Sequence, residues 1–195
     1  MAIDLSKQPI ARMETAIVER LRIAFPEKTF AIERVPQTVT QTEFKRLARL
    51  SPFIGLAWTG MRNDSDAGRA VKGRMSWRLI LIFKASNGNE TRFKGDRKDL
   101  GLDAMVDVSV ALLHGWTIPE VGSVAVTLAN SVIADGWLDD DLVIAQVDFE
   151  IRFTSPIADY GLLTLNDFRE LAVTWDIGPG ADTITDTFTL QEETP

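Results

Sequence analysis

Between residues 143 and 153 the chain alternates without a break. Val143, Ala145, Val147, Phe149, Ile151 and Phe153 fall on one side, and Gln146, Asp148, Glu150 and Arg152 on the other. A period of two marks a β-strand with one dry and one wet face. A chain that carries it must build a sheet, and other elements must cover that sheet's apolar side. The polar side faces water or another subunit. Residues 75–85 form a second, more apolar strand, with Trp77, Leu79, Leu81 and Phe83 on one face and Ile80 and Ile82 beside Arg78 and Lys84 on the other. Apolar residues on both faces place it centrally, at least partly covered on each side.

The covering elements follow from the helical period. Residues 6–25 repeat Ile10, Met13, Ile17, Leu21 and Ala24 at three- and four-residue spacing. Ser6 or Gln8 is positioned to cap this helix, Pro9 sits in its first turn and Pro26 stops it. Residues 99–114 carry a broad stripe of Leu102, Met105, Val106, Ser109, Val110, Leu112 and Leu113, with Gly115 at a helix C-cap position. A shorter helix is expected over 40–50 through Phe44 and Leu47, and further strands over 29–34, 53–58 and 121–128. The segment 60–74, with three glycines and Arg62, Arg69, Lys72 and Arg74, shows no periodicity and reads as a long, mobile, basic loop. Asn87-Gly88-Asn89 reads as a turn.

The expected fold class is α+β: a mostly antiparallel or mixed sheet of four to five strands, with two principal helices packed on one face. This domain spans 1–156, and 157–195 is an acidic C-terminal extension with strand-like pieces at 171–177 and 183–190. Ile184, Phe188 and Leu190 make it too apolar for a disordered tail, so it is expected to lie across a surface, its own or a neighbour's. The first nine residues include Asp4 and Lys7 and lack the apolar run of a secretory signal. The apolar runs are of strand length, so neither export by a standard signal nor membrane embedding is expected.

Charge is segregated along the chain. Residues 1–98 hold 19 of the 21 Lys and Arg against 10 Asp and Glu, whereas residues 99–195 hold only Arg152 and Arg169 against 18 acids. Two readings fit: an acidic tail beside a mixed domain, or one part of a subunit attracting another part of its neighbour.

The residues for catalysis are not assembled. There is no cysteine, which excludes disulfides and thiolate metal sites and suits a reducing compartment. The single histidine, His114, falls at a helix end, where the helix dipole favours an imidazolium, and no serine sits in a Gly-x-Ser-x-Gly turn. Residues 68–74 have the glycine spacing of a phosphate-binding loop. However, Arg74 stands where lysine belongs, Met75 replaces the magnesium-binding hydroxyl, and a strand follows instead of a helix. Asp139, Asp140 and Asp141 lack the spaced ligands of a calcium loop and read as a solvated turn. Asp148 and Glu150 share a strand face at a spacing of two, as a catalytic pair can, but with Gln146 and Arg152 on the same face solvated alternation explains them better. The chain is therefore expected not to be an enzyme, with no catalytic residue, metal or cofactor assigned. A nucleic-acid-binding module built on the basic loop 60–74, flanked by Trp58 and Trp77, is the alternative reading. A pI near 4.8 counts against it.

The helix ending Val108-Ser109-Val110-Ala111-Leu112-Leu113-His114-Gly115-Trp116 is followed by a short strand and then by Asp148-Phe149-Glu150-Ile151-Arg152-Phe153. With the opening amphipathic helix and the strand around Trp77 and Phe83, this order resembles the Mu-like phage and prophage tail terminator family over residues 6–156. The resemblance implies a small α+β subunit that forms a homo-oligomeric ring, a hexamer, on the completed tail tube. The ring would stop tube polymerisation and meet the head connector, in a virion tail assembled in the host bacterial cytoplasm. The implied partners are copies of itself, the tail tube protein and the head connector protein, with no membrane and no sequence-specific nucleic acid. Arg62, Arg69, Lys72 and Arg74 are the candidate contacts to a neighbouring subunit or the tube, with an ordinary solvent-exposed loop as the alternative. Asp148 and Glu150, on the polar strand face, are the candidate channel-lining or interface carboxylates.

Overall fold

The computed structural model describes residues 8–64, 70–85, 88–96, 100–132 and 142–156, and the backbone of two further strands, Glu170–Trp175 and Ile184–Thr189. In chain order the elements are α1 (Pro9–Arg22), β1 (Ala31–Arg34), α2 (Gln41–Ala48), β2 (Phe53–Asn63), β3 (Ala70–Lys84), α3 (Asn89–Lys94), α4 (Leu102–Leu113), β4 (Thr117–Ile118), β5 (Gly122–Ser131), β6 (Leu142–Pro156), β7 (Glu170–Trp175) and β8 (Ile184–Thr189). The fold is α+β. One mixed sheet runs β1-β2-β3-β6-β5-β4, with β1 parallel to β2 and the other pairs antiparallel, while β7 and β8 pair with each other.

The sheet has six strands where the sequence suggested four to five. The additional strand, β4, is two residues long, too short to show any period. The strands at the centre are those read as most apolar: β3 lies between β2 and β6, in a register that sets Trp77 opposite Trp58 and Phe149.

The two faces differ. On one, Met75, Trp77, Leu79, Leu81 and Phe83 of β3 meet Ala145, Val147, Phe149, Ile151 and Phe153 of β6 under α1 and α4. Helix α1 contributes Met13, Ile17 and Leu21, all buried, so its predicted stripe is its docked face. Gln8 is its N-cap residue, without a side-chain cap bond, and Pro9 opens the first turn, where its missing N–H costs no hydrogen bond. Helix α4 buries Leu102, Met105, Ser109 and Leu113. At its end His114 is the C-cap in extended conformation, and the expected glycine, Gly115, follows at φ 75°, a left-handed turn that glycine adopts without Cβ strain. On the opposite face a smaller core joins Phe44 and Leu47 of α2 to Phe53, Ala57, Ile82, Leu142 and Ile144. Thr40 caps α2, accepting a hydrogen bond from the Glu43 N–H at 3.3 Å.

The main correction concerns residues 60–74. At both ends this segment is strand: residues 60–63 and 70–74 are paired. β2 continues to Asn63 past an irregularity between Trp58 and Gly60, and β3 starts at Ala70, so Arg62, Lys72 and Arg74 belong to paired strands. The alternation is hidden because an inward position of β3 is Gly73, which adds no apolar side chain. Residue 87 of the predicted turn and the Asp139-Asp140-Asp141 run lie outside the described residues, whereas Asn89 begins α3, an element without a recognisable sequence period.

Candidate functional site

The sheet face under α2 changes character along its length. Near α2 it is apolar, through Phe53, Ile82 and Ile144. Farther along β3 and β6 the residues on this face become Ile80 opposite Gln146, Arg78 opposite Asp148, Ser76 opposite Glu150, Arg74 opposite Arg152, and Lys72 opposite Thr154. Five of the six candidates, Arg62, Lys72, Arg74, Asp148 and Glu150, are thus brought onto one face. Arg69 lies outside the described residues.

One row of this face is unusual. Arg62 of β2 stands opposite Arg74 of β3, which stands opposite Arg152 of β6. With neighbouring strands roughly 4.8 Å apart, three arginines project from a span of about 10 Å. Like charges directly opposite one another destabilise a sheet, so the row does not serve the fold. Arg74 is partly compensated by Glu150, at 3.3 Å. Arg62, Lys72 and Arg152 are exposed and, among the described residues, make no ion pair or side-chain hydrogen bond. Arg152 was recognised in sequence as part of the polar face but not as a site residue. What identifies it is the register against Arg74, which no single strand's pattern carries. A shallow depression of about 260 Å³ between Arg74, Ser123, Ala125, Glu150 and Arg152 marks the same place.

Asp148 and Glu150 are not a catalytic pair in this arrangement. Asp148 holds Arg78 in a fork, Nε to Oδ1 at 2.6 Å and Nη2 to Oδ2 at 2.9 Å, and Glu150 is engaged by Arg74. The hydrogen bonds that Arg78 donates to Asp148 raise its pKa further above its already high ordinary value, against a smaller opposing effect of burial. Both partners are about a quarter exposed, 31% for Arg78 and 21% for Asp148, so solvent screens the pair in part. A double-mutant cycle with Arg78→Ala and Asp148→Ala is expected to give a coupling of about 1 kcal/mol in chemical denaturation. A coupling indistinguishable from zero would mean the fork does not persist in solution.

Charge pairing elsewhere accounts for much of the basic N-terminal half. Arg12 reaches Glu120 at 3.2 Å, Arg34 reaches Glu14 at 3.2 Å, and Arg46 binds Glu33 and Glu43, each at 2.8 Å. Arg20 donates to the Leu112 carbonyl, and Arg22 to those of Phe25 and Phe30, fastening the turn after α1. Three of these contacts, Arg12–Glu120, Arg74–Glu150 and Arg78–Asp148, neutralise charge between the two halves inside one subunit. The cations that remain exposed on the open face are those of the row.

His114 has a structural task. Its Nδ1 accepts a hydrogen bond from the Val126 N–H at 3.2 Å, tying the end of α4 to β5. Of the tryptophans flanking the basic segment, Trp77 is 1% exposed and cannot stack on a base, and Trp58 is half-buried with its N–H directed to the Met75 sulfur at 3.3 Å. A wider cavity of about 580 Å³ opens beside α2, rimmed by Lys45, Arg49, Ser51 and Lys84, and none of the sequence candidates lies there.

Among the described residues no cluster of three or more His, Asp or Glu is arranged to hold a metal ion, and no helix is long and apolar enough to cross a membrane. Compared with known proteins, the chain matches no family model and no curated protein.

Proposed function

We propose that this chain is a ring-forming structural subunit of a phage tail, a tail terminator that caps the finished tube, ends its polymerisation and takes part in joining head to tail. The observation that carries the reading is the uncovered end of the sheet. There Arg62, Arg74 and Arg152 line up across three strands with Lys72 beside them, at a cost to the fold and without partners for three of the four. A surface that costs stability and finds no counter-charge among the described residues suits docking. Closing a ring needs unlike patches on neighbouring subunits, and segregated charge supplies them. The Leu112-Leu113-His114-Gly115-Trp116 turn and the order of elements support the tail assignment.

Light scattering on the purified chain is expected to show assemblies of about six subunits at high concentration or on added tail tubes, visible as rings in negative stain. A chain that stays monomeric throughout and leaves tube length unchanged would sink this reading. The same row favours a second reading, a polyanion-binding module. It predicts DNA binding at low salt that weakens steeply with added salt and on Arg62→Ala and Arg152→Ala. Absence of DNA binding at low salt removes it.

A further inference from the structure

The ring reading leaves open which surface meets the basic row. We infer that its occupant is the acidic segment 157–195 of the neighbouring subunit. This inference rests on the ring reading and names the two patches that would close the ring.

Three observations carry it. The segment holds eight acidic residues against the single Arg169, the charge complement of the row. It leaves the sheet close to the row: β6 ends at Pro156, four residues beyond Arg152, where Pro156 stands opposite Ala70 and Thr154 opposite Lys72. Arg62, Lys72 and Arg152 are exposed, and no carboxylate among the described residues pairs with them. An acidic segment tethered beside a basic row enjoys a high effective concentration for it. The row has no counter-charge among the described residues, and the ring reading, which needs unlike patches on neighbouring copies, assigns the segment to the next subunit. The backbone of β7 and β8 agrees, since the two pair with each other and with no strand of the six-stranded sheet. A two-stranded ribbon is marginal alone and gains by packing on a partner. Each subunit then offers two unlike patches, a basic row and an acidic segment, for a head-to-tail contact that closes when the rotation allows.

Charge reversal in the full-length chain tests the pairing. One variant carries Arg62→Glu, Lys72→Glu and Arg152→Glu, leaving the Arg74–Glu150 pair intact. A second carries Asp167→Lys, Glu170→Lys and Asp176→Lys, and a third carries all six substitutions. Circular dichroism and thermal melting first check that each variant folds. By light scattering, each of the first two is expected to need at least about tenfold more protein to assemble than the wild type, because like charges then meet at every contact. An equimolar mixture of the two restores assembly, since every row then finds a complementary segment on the other partner, and the six-fold variant restores it alone.

Recovery in the six-fold variant without recovery in the mixture would place the contact within one chain and overturn the inference. Loss in the row variant with none in the segment variant would assign the row to another occupant, an acidic tube surface or a nucleic acid, and overturn it as well. Unchanged assembly in the row variant would overturn the inference while the ring reading stands. A wild-type chain that never assembles removes the ring reading, and the contact between subunits falls with it.

Discussion

Trp77→Ala is expected to lower the free energy of unfolding by about 3–5 kcal/mol. The indole is 1% exposed in the middle of β3, between Trp58 on β2 and Phe149 on β6, on the face that α1 and α4 cover. Its neighbours sit on strands held by ladders on both sides, so they cannot move in to fill the space that alanine leaves. The Arg34 guanidinium, 4.6 Å from the ring centroid, also loses its cation–π contact, a further 0.5–1 kcal/mol or about that. Trp77→Phe separates packing from polarity. The indole Nε1 is buried without a hydrogen-bond acceptor, so removing it strands no partner, and the phenyl ring refills most of the volume. The phenylalanine variant is expected to lose less than about 1.5 kcal/mol. Urea denaturation of both proteins checks the pair. An alanine variant that loses under about 1 kcal/mol would mean this side of the sheet is not packed as a native core.

The parts of the fold that were legible in sequence are those whose period is carried by large side chains. Met13, Ile17 and Leu21 announced α1, Met105, Ser109 and Leu113 announced α4, and the alternation from Val143 to Phe153 announced β6. The strand pieces expected at 171–177 and 183–190 correspond to β7 and β8. Residues 60–74 failed for the same reason the others succeeded. Gly73 contributes no apolar signal at a position where the backbone itself approaches a neighbouring strand, so two paired strand ends resembled a loop. β4 is defined by two residues of pairing and α3 by six residues of exposed helix, neither long enough to leave a pattern. The site was half legible. Its residue types and the polar face of β6 could be read directly, but the arginine row is a property of register across three strands. Register depends on where β2 slips past β3 near Gly60, and no local pattern specifies that. The charge segregation was visible at once, whereas its partial neutralisation within one subunit through Arg12–Glu120, Arg74–Glu150 and Arg78–Asp148 required the fold.

The same register makes Gly122 the most sensitive backbone position beside the row. Gly122→Ala is expected to destabilise the protein by about 4 kcal/mol or more. A Cβ built there lies 1.6 Å from the Arg152 carbonyl oxygen and 2.7 Å from its carbon, and both are backbone atoms of the strand that carries the row. No side chain can rotate away to make room, so the start of β5 must part from β6, breaking the pairing of Gly122 with Phe153 and of Ser123 with Arg152. Gly60→Ala provides the control. Its φ of 151° nearly equals the 158° of Gly122, but an added methyl meets nothing within 4 Å. It therefore carries only the backbone strain of about 1–3 kcal/mol that both positions share. The excess at Gly122 measures the clash alone. Because that clash pushes on Arg152, the alanine variant is also expected to weaken assembly under conditions where it remains folded, and Gly60→Ala is not. Equal losses of stability at the two glycines would show that β5 and β6 are farther apart beside Arg152 than the structure places them.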